Sequence, residues 1–148
     1  MHPTAARFQR RLHERGFDVE VQVLPDSTRT AGEAAAAVGC EVGQIVKSLV
    51  FMRDGRPVLV LCAGDRRVAA ERLGLRAANA DEARAATGFS IGGIPPLGHD
   101  RPLETLIDES LRRFVTVWSA AGTPHAVFEA GTESLIAAIP GAVVAKVS

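Results

Sequence analysis

The sequence has little of several things that would place it in a class at once. It holds two cysteines, Cys40 and Cys62, too few for a disulfide framework and without the clustering of a zinc site. Both read as small buried apolar residues. Its longest apolar runs, such as Val58 to Ala63, are far shorter than the roughly 18 residues that cross a bilayer. The N-terminus, MHPTAARFQRRLHERG, puts arginines where a secretory signal needs an apolar segment. No membrane or secreted location is therefore expected, and the compartment is expected to be the cytoplasm. HExxH, GxxxxGK[ST] and CxxC patterns are absent, which sets aside the best-marked zinc and NTPase classes. A GxGxxG turn after a strand is missing too, and with it the dinucleotide-binding reading. Nor is there an excess of one charge: 17 basic and 17 acidic residues are spread along the chain. A broad phosphate-binding face and general DNA binding are thereby excluded, and any nucleic-acid contact must be local.

Lysine is scarce as well. There are two, against fifteen arginines, and one lies inside QIVKSLVF, Gln44 to Phe51, which reads as a buried strand. Side chains alternate across a strand, so Ile45, Lys47, Leu49 and Phe51 share one face and Val46, Ser48, Val50 and Met52 the other. Burying an unpaired ammonium costs several kcal/mol or more. Lys47 must therefore snorkel out, find an acid, line a cavity or bind an anion. In a chain that otherwise uses arginine, a lysine here points to a compact point charge.

The 148 residues are enough for one domain with its own core, here residues 1–148, without metals or disulfides. Thr4 is expected to cap a helix to about Arg15, with Phe8 and Leu12 inward. Val19 to Leu24 alternates as a strand. Thr30 and Glu33 form a capping box for AGEAAAAVG. The Lys47 strand and Pro57 to Cys62 make a central hairpin around Asp54-Gly55. A helix is expected over Arg66 to Leu73 and another, capped by Asp81, over Glu82 to Thr87. Strands follow at Leu103 to Asp108, Phe114 to Trp118 and Ala126 to Glu129. A helix capped by Thr132 and a strand over Ala142 to Val147 complete the chain. The sum, about seven strands and four or five helices, predicts an α+β fold with one mixed, mostly antiparallel sheet surrounded by helices.

Candidate chemistry is scattered. The stretch Phe89 to Asp100, FSIGGIPPLGHD, has no periodicity: glycine permits close approach while proline fixes φ. Its apolar Phe89, Ile91, Ile94 and Leu97 should pack on the body, and Ile91, Ile94, Leu97 and His99 would set a pocket's size. Such a loop either aims N–H groups at an oxyanion or is simply a tight turn. Asp108 at a strand end either neutralises a lysine and orients a ligand or caps a turn. His99 and His125 could each move a proton, though a lone histidine is more often neither donor nor base in a reaction. The arginines around Arg66, Arg67, Arg72 and Arg76 read first as solvated surface.

The stretches TAGEAAAAVGCEVGQIVKSLVF, GFSIGGIPPLGH, LIDESL and AAGTPHAVFEAG, in this order, resemble the YbaK/ProX family of aminoacyl-tRNA editing domains, over roughly Thr30 to Val147. The family also occurs as an insertion in prolyl-tRNA synthetase, and the absence of a surrounding synthetase makes this chain look like a free-standing, trans-acting member. The resemblance implies hydrolysis of the ester between a wrong amino acid, such as Ala, Cys, Ser or Thr, and the terminal ribose of a tRNA, the tRNA for proline being one candidate. Water would be the nucleophile, assisted by substrate groups, with neither cofactor nor metal. It implies that Lys47 holds the terminal nucleotide and that the GxxxP loop, Gly92, Gly93, Ile94, Pro95 and Pro96, lies over the aminoacyl group. Asp108 matches the acid after the loop. Thr30, Ser48, Gly98, His99, Ser110 and His125 are the remaining substrate-binding candidates. The implied partners are the CCA end of an aminoacyl-tRNA and an associated synthetase, with the chain a monomer or homodimer. A non-catalytic module that binds the same aminoacyl-tRNA end, a nucleotide or an amino acid is the alternative.

Overall fold

The computed structural model describes residues 1–26, 28 and 30–148. In chain order its elements are α1 Pro3–Glu14, β1 Val21–Val23, α2 Ala31–Val38, β2 Val46–Arg53, β3 Arg56–Ala63, β4 Arg76–Ala77, α3 Ala80–Thr87, β5 Glu104–Asp108, β6 Thr116–Ala120, β7 Ala126–Gly131, α4 Thr132–Ala138 and β8 Val143–Ala145. The α+β class holds, and antiparallel pairings predominate. Instead of one sheet, however, the strands form two, ordered β4-β2-β3-β5-β8 and β1-β7-β6. The reason lies after β5, where the 3-10 turn Glu109–Arg113 redirects the chain. β6 therefore pairs with β7 and not with β5, and the sheets meet at a parallel bridge between Ile45 and Trp118.

The β2–β3 hairpin sits at the centre of the larger sheet, as its pattern implied. Asp54 and Gly55 both have positive φ, 52° and 76°, the geometry of a two-residue turn that matches the strands' twist. Every residue of β3 from Val58 to Ala63 is fully buried, so its continuous apolar run faces protein on both sides. The alternation expected in β2 also holds. Val46 and Val50 join the main core with Leu59, Leu61, Phe8 and Phe128. On the other face Phe51 and Leu49 pack with Val58, Val60 and Val147, and Ile45 with Trp118 and Val127. Burying each large apolar side chain contributes about 2 kcal/mol, so both faces of β2 are held in place.

Several local expectations are corrected. Arg66 to Leu73 is not a helix: Ala69 N–H donates to the Val147 carbonyl at 2.8 Å, and the chain then closes a turn in which Leu75 N–H reaches Ala70 O at 2.9 Å. Pairing with the C-terminal segment outweighed helix propensity, and Val68, Ala70 and Leu73 pack against the outer cluster. The short β4 was not foreseen. Asn79, not Asp81, caps α3: its side chain accepts from Glu82 N–H at 2.8 Å, and Glu82 answers to Asn79 N–H at 3.0 Å. His2, not Thr4, caps α1, because Pro3 fits the first helical position. Gly131 precedes α4, since the Thr132 hydroxyl donates to Phe114 O at 2.6 Å. Strand β6 begins two residues late, Phe114 being tied to Leu111 O. Cys62 is buried as expected, whereas Cys40 is half-buried beside α2.

Candidate functional site

Strands β2 and β6 touch at Ile45 and Trp118 and then part. Between them lies a cavity of about 340 Å³, lined from β2 by Val46 to Leu49, from β6 by Trp118 to Ala120, and from above by Ile91, Gly92 and Ile94. The β2 edge facing it is uncovered by a strand, because β4 pairs only with Phe51 and Met52. Backbone groups alternate in direction along a ladder. Ile45 O accepts from Gly64 N–H on the β3 side, and Val50 O from Ala78 N–H on the other. The N–H and C=O of Ser48 consequently point across the gap toward β6.

Lys47 lines this cavity. Its ammonium leaves along the rim and donates to the Arg66 carbonyl, and among the described residues it enters no ion pair. Of the options the sequence left open, Lys47 lines a cavity and pairs with no acid among the described residues. Its partner across the ladder is Cys62. Burial pushes the Cys62 thiol up, more than the neighbouring Lys47 pulls it down, so it stays protonated and unfit as a nucleophile.

The loop forms the roof. Gly92, at φ 98°, lines the cavity, whereas Gly93 lies one layer behind. A Cβ on Gly93 would stand 2.7 Å from Thr123 Cα and 2.8 Å from Gly122 O. Gly93 N–H donates to Ser90 O, and its carbonyl accepts from Gly122 N–H, both at 3.0 Å. Gly93 thus fastens the roof to the turn after β6, and its N–H is not offered to a ligand. Ile94 faces the cavity. Pro95, Pro96, Gly98 and His99 do not, and hold the loop down from outside it: His99 Nε2 donates to Pro95 O at 2.7 Å, and Gly98 O accepts from Arg11 at 2.7 Å. Burial lowers the His99 pKa, keeping the ring neutral against the edge of Phe89.

Asp108 is fully buried away from the cavity. One oxygen accepts from Val147 and Ser148 N–H at 2.9 and 3.0 Å, and the other from the Ser110 hydroxyl and N–H. Burial pushes this carboxyl up, but these bonds outweigh it and hold it below the usual carboxylate range. Ser110 is occupied with Asp108. His125 is exposed, and its backbone carbonyl accepts from Leu24 N–H at 2.7 Å. Thr30 stands at the mouth, where its hydroxyl caps α2 by accepting from Glu33 N–H at 3.1 Å. The structure therefore brings together Thr30, Lys47, Ser48, Gly92 and Ile94. It leaves Gly93, Pro95, Pro96, Gly98, His99, Asp108, Ser110 and His125 outside the cavity lining.

The aminoacyl-tRNA editing domain family model matches residues 25–138. The chain belongs to this family. The editing domain is 32% identical over 117 residues to the uncharacterized protein YwhH of Bacillus subtilis, a match covering 74% of each chain. It is 36% identical over 81 residues to the proline–tRNA ligase of Lactobacillus gasseri, covering 50% of this chain and 14% of the ligase. Among solved structures it is similar to a candidate trans-editing enzyme for prolyl tRNA synthetase, with TM-score 0.92, 48% identity and coverage of 100% of this chain and 98% of that one.

In this editing domain, sequence reasoning missed the β6 half of the cavity. Trp118 and Ser119 are buried, and the Ser48 and Ser119 hydroxyls have no hydrogen-bond partner among the described residues. A signal was present: Val117, Ser119 and Ala121 share one face of FVTVWSAA, so a polar side chain stands in a buried row, as Lys47 does in β2.

Proposed function

We propose that this editing domain hydrolyses, in trans and in the cytoplasm, the ester joining a small amino acid such as Ala, Cys, Ser or Thr to the terminal ribose of a mischarged tRNA, the tRNA for proline being the first candidate. The observation that carries this is one cavity holding an ammonium free of any carboxylate at its rim and a glycine-bearing roof above. Lys47 exchanges the Arg66 carbonyl for an anionic or hydroxyl oxygen of the terminal nucleotide. The aminoacyl group enters beneath Gly92 and Ile94. Water adds to the ester carbonyl carbon, the bond from that carbon to the ribose oxygen breaks, and the ribose oxygen leaves with a proton. The free amino acid is released as its carboxylate. In this reading Gly92 N–H donates to the developing oxyanion, since Gly93 N–H is engaged by Ser90 O. The protein's share is positioning and electrostatic stabilisation, with the ribose hydroxyl guiding the water.

Contact with a single-stranded CCA end suits a chain of zero net charge, since a few local cations suffice there. Asp108, in this reading, supports the site at one remove by tying β5 to the C-terminal segment. Association with prolyl-tRNA synthetase would deliver the product to be checked. Incubation with a panel of Ala-, Cys-, Ser- and Thr-charged tRNAs tests the proposal: at least one ester should be cleaved faster than its spontaneous rate. Protection of every ester would instead mark a binding module.

A further inference from the structure

Ser48 and Ser119 stand out in the cavity because they alone, among buried side-chain polar atoms of the described residues, have hydroxyls without a partner. Most buried polar atoms are hydrogen-bonded, and an orphaned one in a native fold calls for a reason. Ser119 is 2% exposed, on a strand whose neighbours on the same face, Val117 and Ala121, belong to the apolar core. An alanine or valine at this position would satisfy packing without leaving a buried hydroxyl unpaired. Both hydroxyls lie on residues that line the same cavity, one from each of the diverging strands.

Their depth indicates which part of a substrate reaches them. The mouth is formed by exposed Thr30, Ile91 and Gly92, with Lys47 half-exposed at the rim. A ribose and its phosphate are bulky and charged and stay at that level. In the deacylase reading, the amino-acid side chain is the part of the ester that extends beneath the roof toward Ser119. Of the remaining lining there, Val46, Ile94 and Ala126 are apolar, while Trp118 brings an indole N–H and Thr123 a hydroxyl.

We propose that Ser119 and Ser48 together bind a hydroxyl on the substrate's side chain, so that the cavity selects esters of β-hydroxy amino acids, serine and threonine, over alanine. This rests on the deacylase reading of the same cavity. Each serine can donate one hydrogen bond and accept another, so a substrate hydroxyl completes both partners at once, whereas an alanyl methyl leaves both unpaired. A site built to hydrogen-bond a substrate hydroxyl discriminates strongly against the analogue that lacks it.

The test compares seryl and alanyl esters on the same tRNA body, together with binding of the uncleavable 3′-seryl-amino and 3′-alanyl-amino adenosine amides. Wild type should cleave the seryl ester at least about 10-fold faster and bind the seryl amide correspondingly tighter. Ser119→Ala, close to isosteric, should reduce both ratios by about 10-fold, with Ser48→Ala acting in the same direction. Ratios do not depend on how much of a variant folds. Equal handling of the two esters and amides by wild type, or unaltered ratios in both variants, overturns the inference. Failure to cleave any ester, with the seryl amide still preferred and the preference lost in Ser119→Ala, would refute the deacylase reading and uphold this one.

Discussion

Lys47 and Cys62 are direct partners across the β2–β3 ladder, so the charge in the interior of β2 has a buried thiol and not a carboxylate beside it. The ammonium is held at the cavity rim by a backbone carbonyl, a partner that a phosphate or ribose oxygen can replace. Because the thiol's pKa is raised, Cys62→Ala should retain deacylation within about two-fold, while lost packing costs about 1 kcal/mol. Thiol alkylation of the wild type should likewise leave the rate intact. A rate that collapses in the alanine variant would make Cys62 part of the chemistry.

Gly93→Ala should damage both stability and activity. The atoms its Cβ would meet are backbone, at 2.7 to 2.8 Å, so the roof must lift instead of a side chain turning aside. A loss of about 2 kcal/mol is expected, read as a lowered thermal midpoint together with slower deacylation. At Gly92 the nearest atom to an added Cβ is 3.7 Å away, so alanine there tests backbone strain at φ 98° without a clash.

Asp108→Asn should act on stability first. Its carboxylate accepts four bonds, and an amide places an N–H₂ against N–H donors, so a loss of about 3 kcal/mol is expected. Since the folded carboxyl lies below its ordinary value, the contribution is full above the unfolded pKa of about 4 and fades as pH falls through the folded value. The stability gap between wild type and variant should narrow in acid. An unchanged denaturation midpoint with abolished deacylation would return Asp108 to the reaction.

His99 gives the opposite ionisation with the same pH sense. Burial depresses its folded pKa, so the neutral ring contributes stability above the unfolded pKa of about 6.5, and that contribution is lost as pH falls through the folded value. The urea midpoint of wild type should drop on moving from pH 7 to pH 5 by more than that of His99→Gln, whose amide can still donate to Pro95 O. Parallel curves would show that His99 does not titrate against folding.

The β2 side of the site was legible because period-two alternation needs only local sequence, and a charge in an apolar row is conspicuous. The loop was legible for the same reason, glycine and proline having fixed backbone effects. The two-sheet division was not, because it depends on where the 3-10 turn after Asp108 sends β6, which no local pattern states. Asp108 and His99 read as candidate reacting groups because their types are reactive. Only three-dimensional contacts show Asp108 binding the tail and His99 locking the loop. Ser119 escaped notice since serine in a strand is unremarkable until its burial and lack of a partner are known.

The most direct test of the central claim is single-turnover deacylation of the mischarged-tRNA panel by wild type and Lys47→Ala, with melting temperatures measured alongside. Cleavage by wild type that falls to the spontaneous rate in Lys47→Ala, at a nearly unchanged melting temperature, is the expected result. Equal cleavage by both proteins would contradict the account.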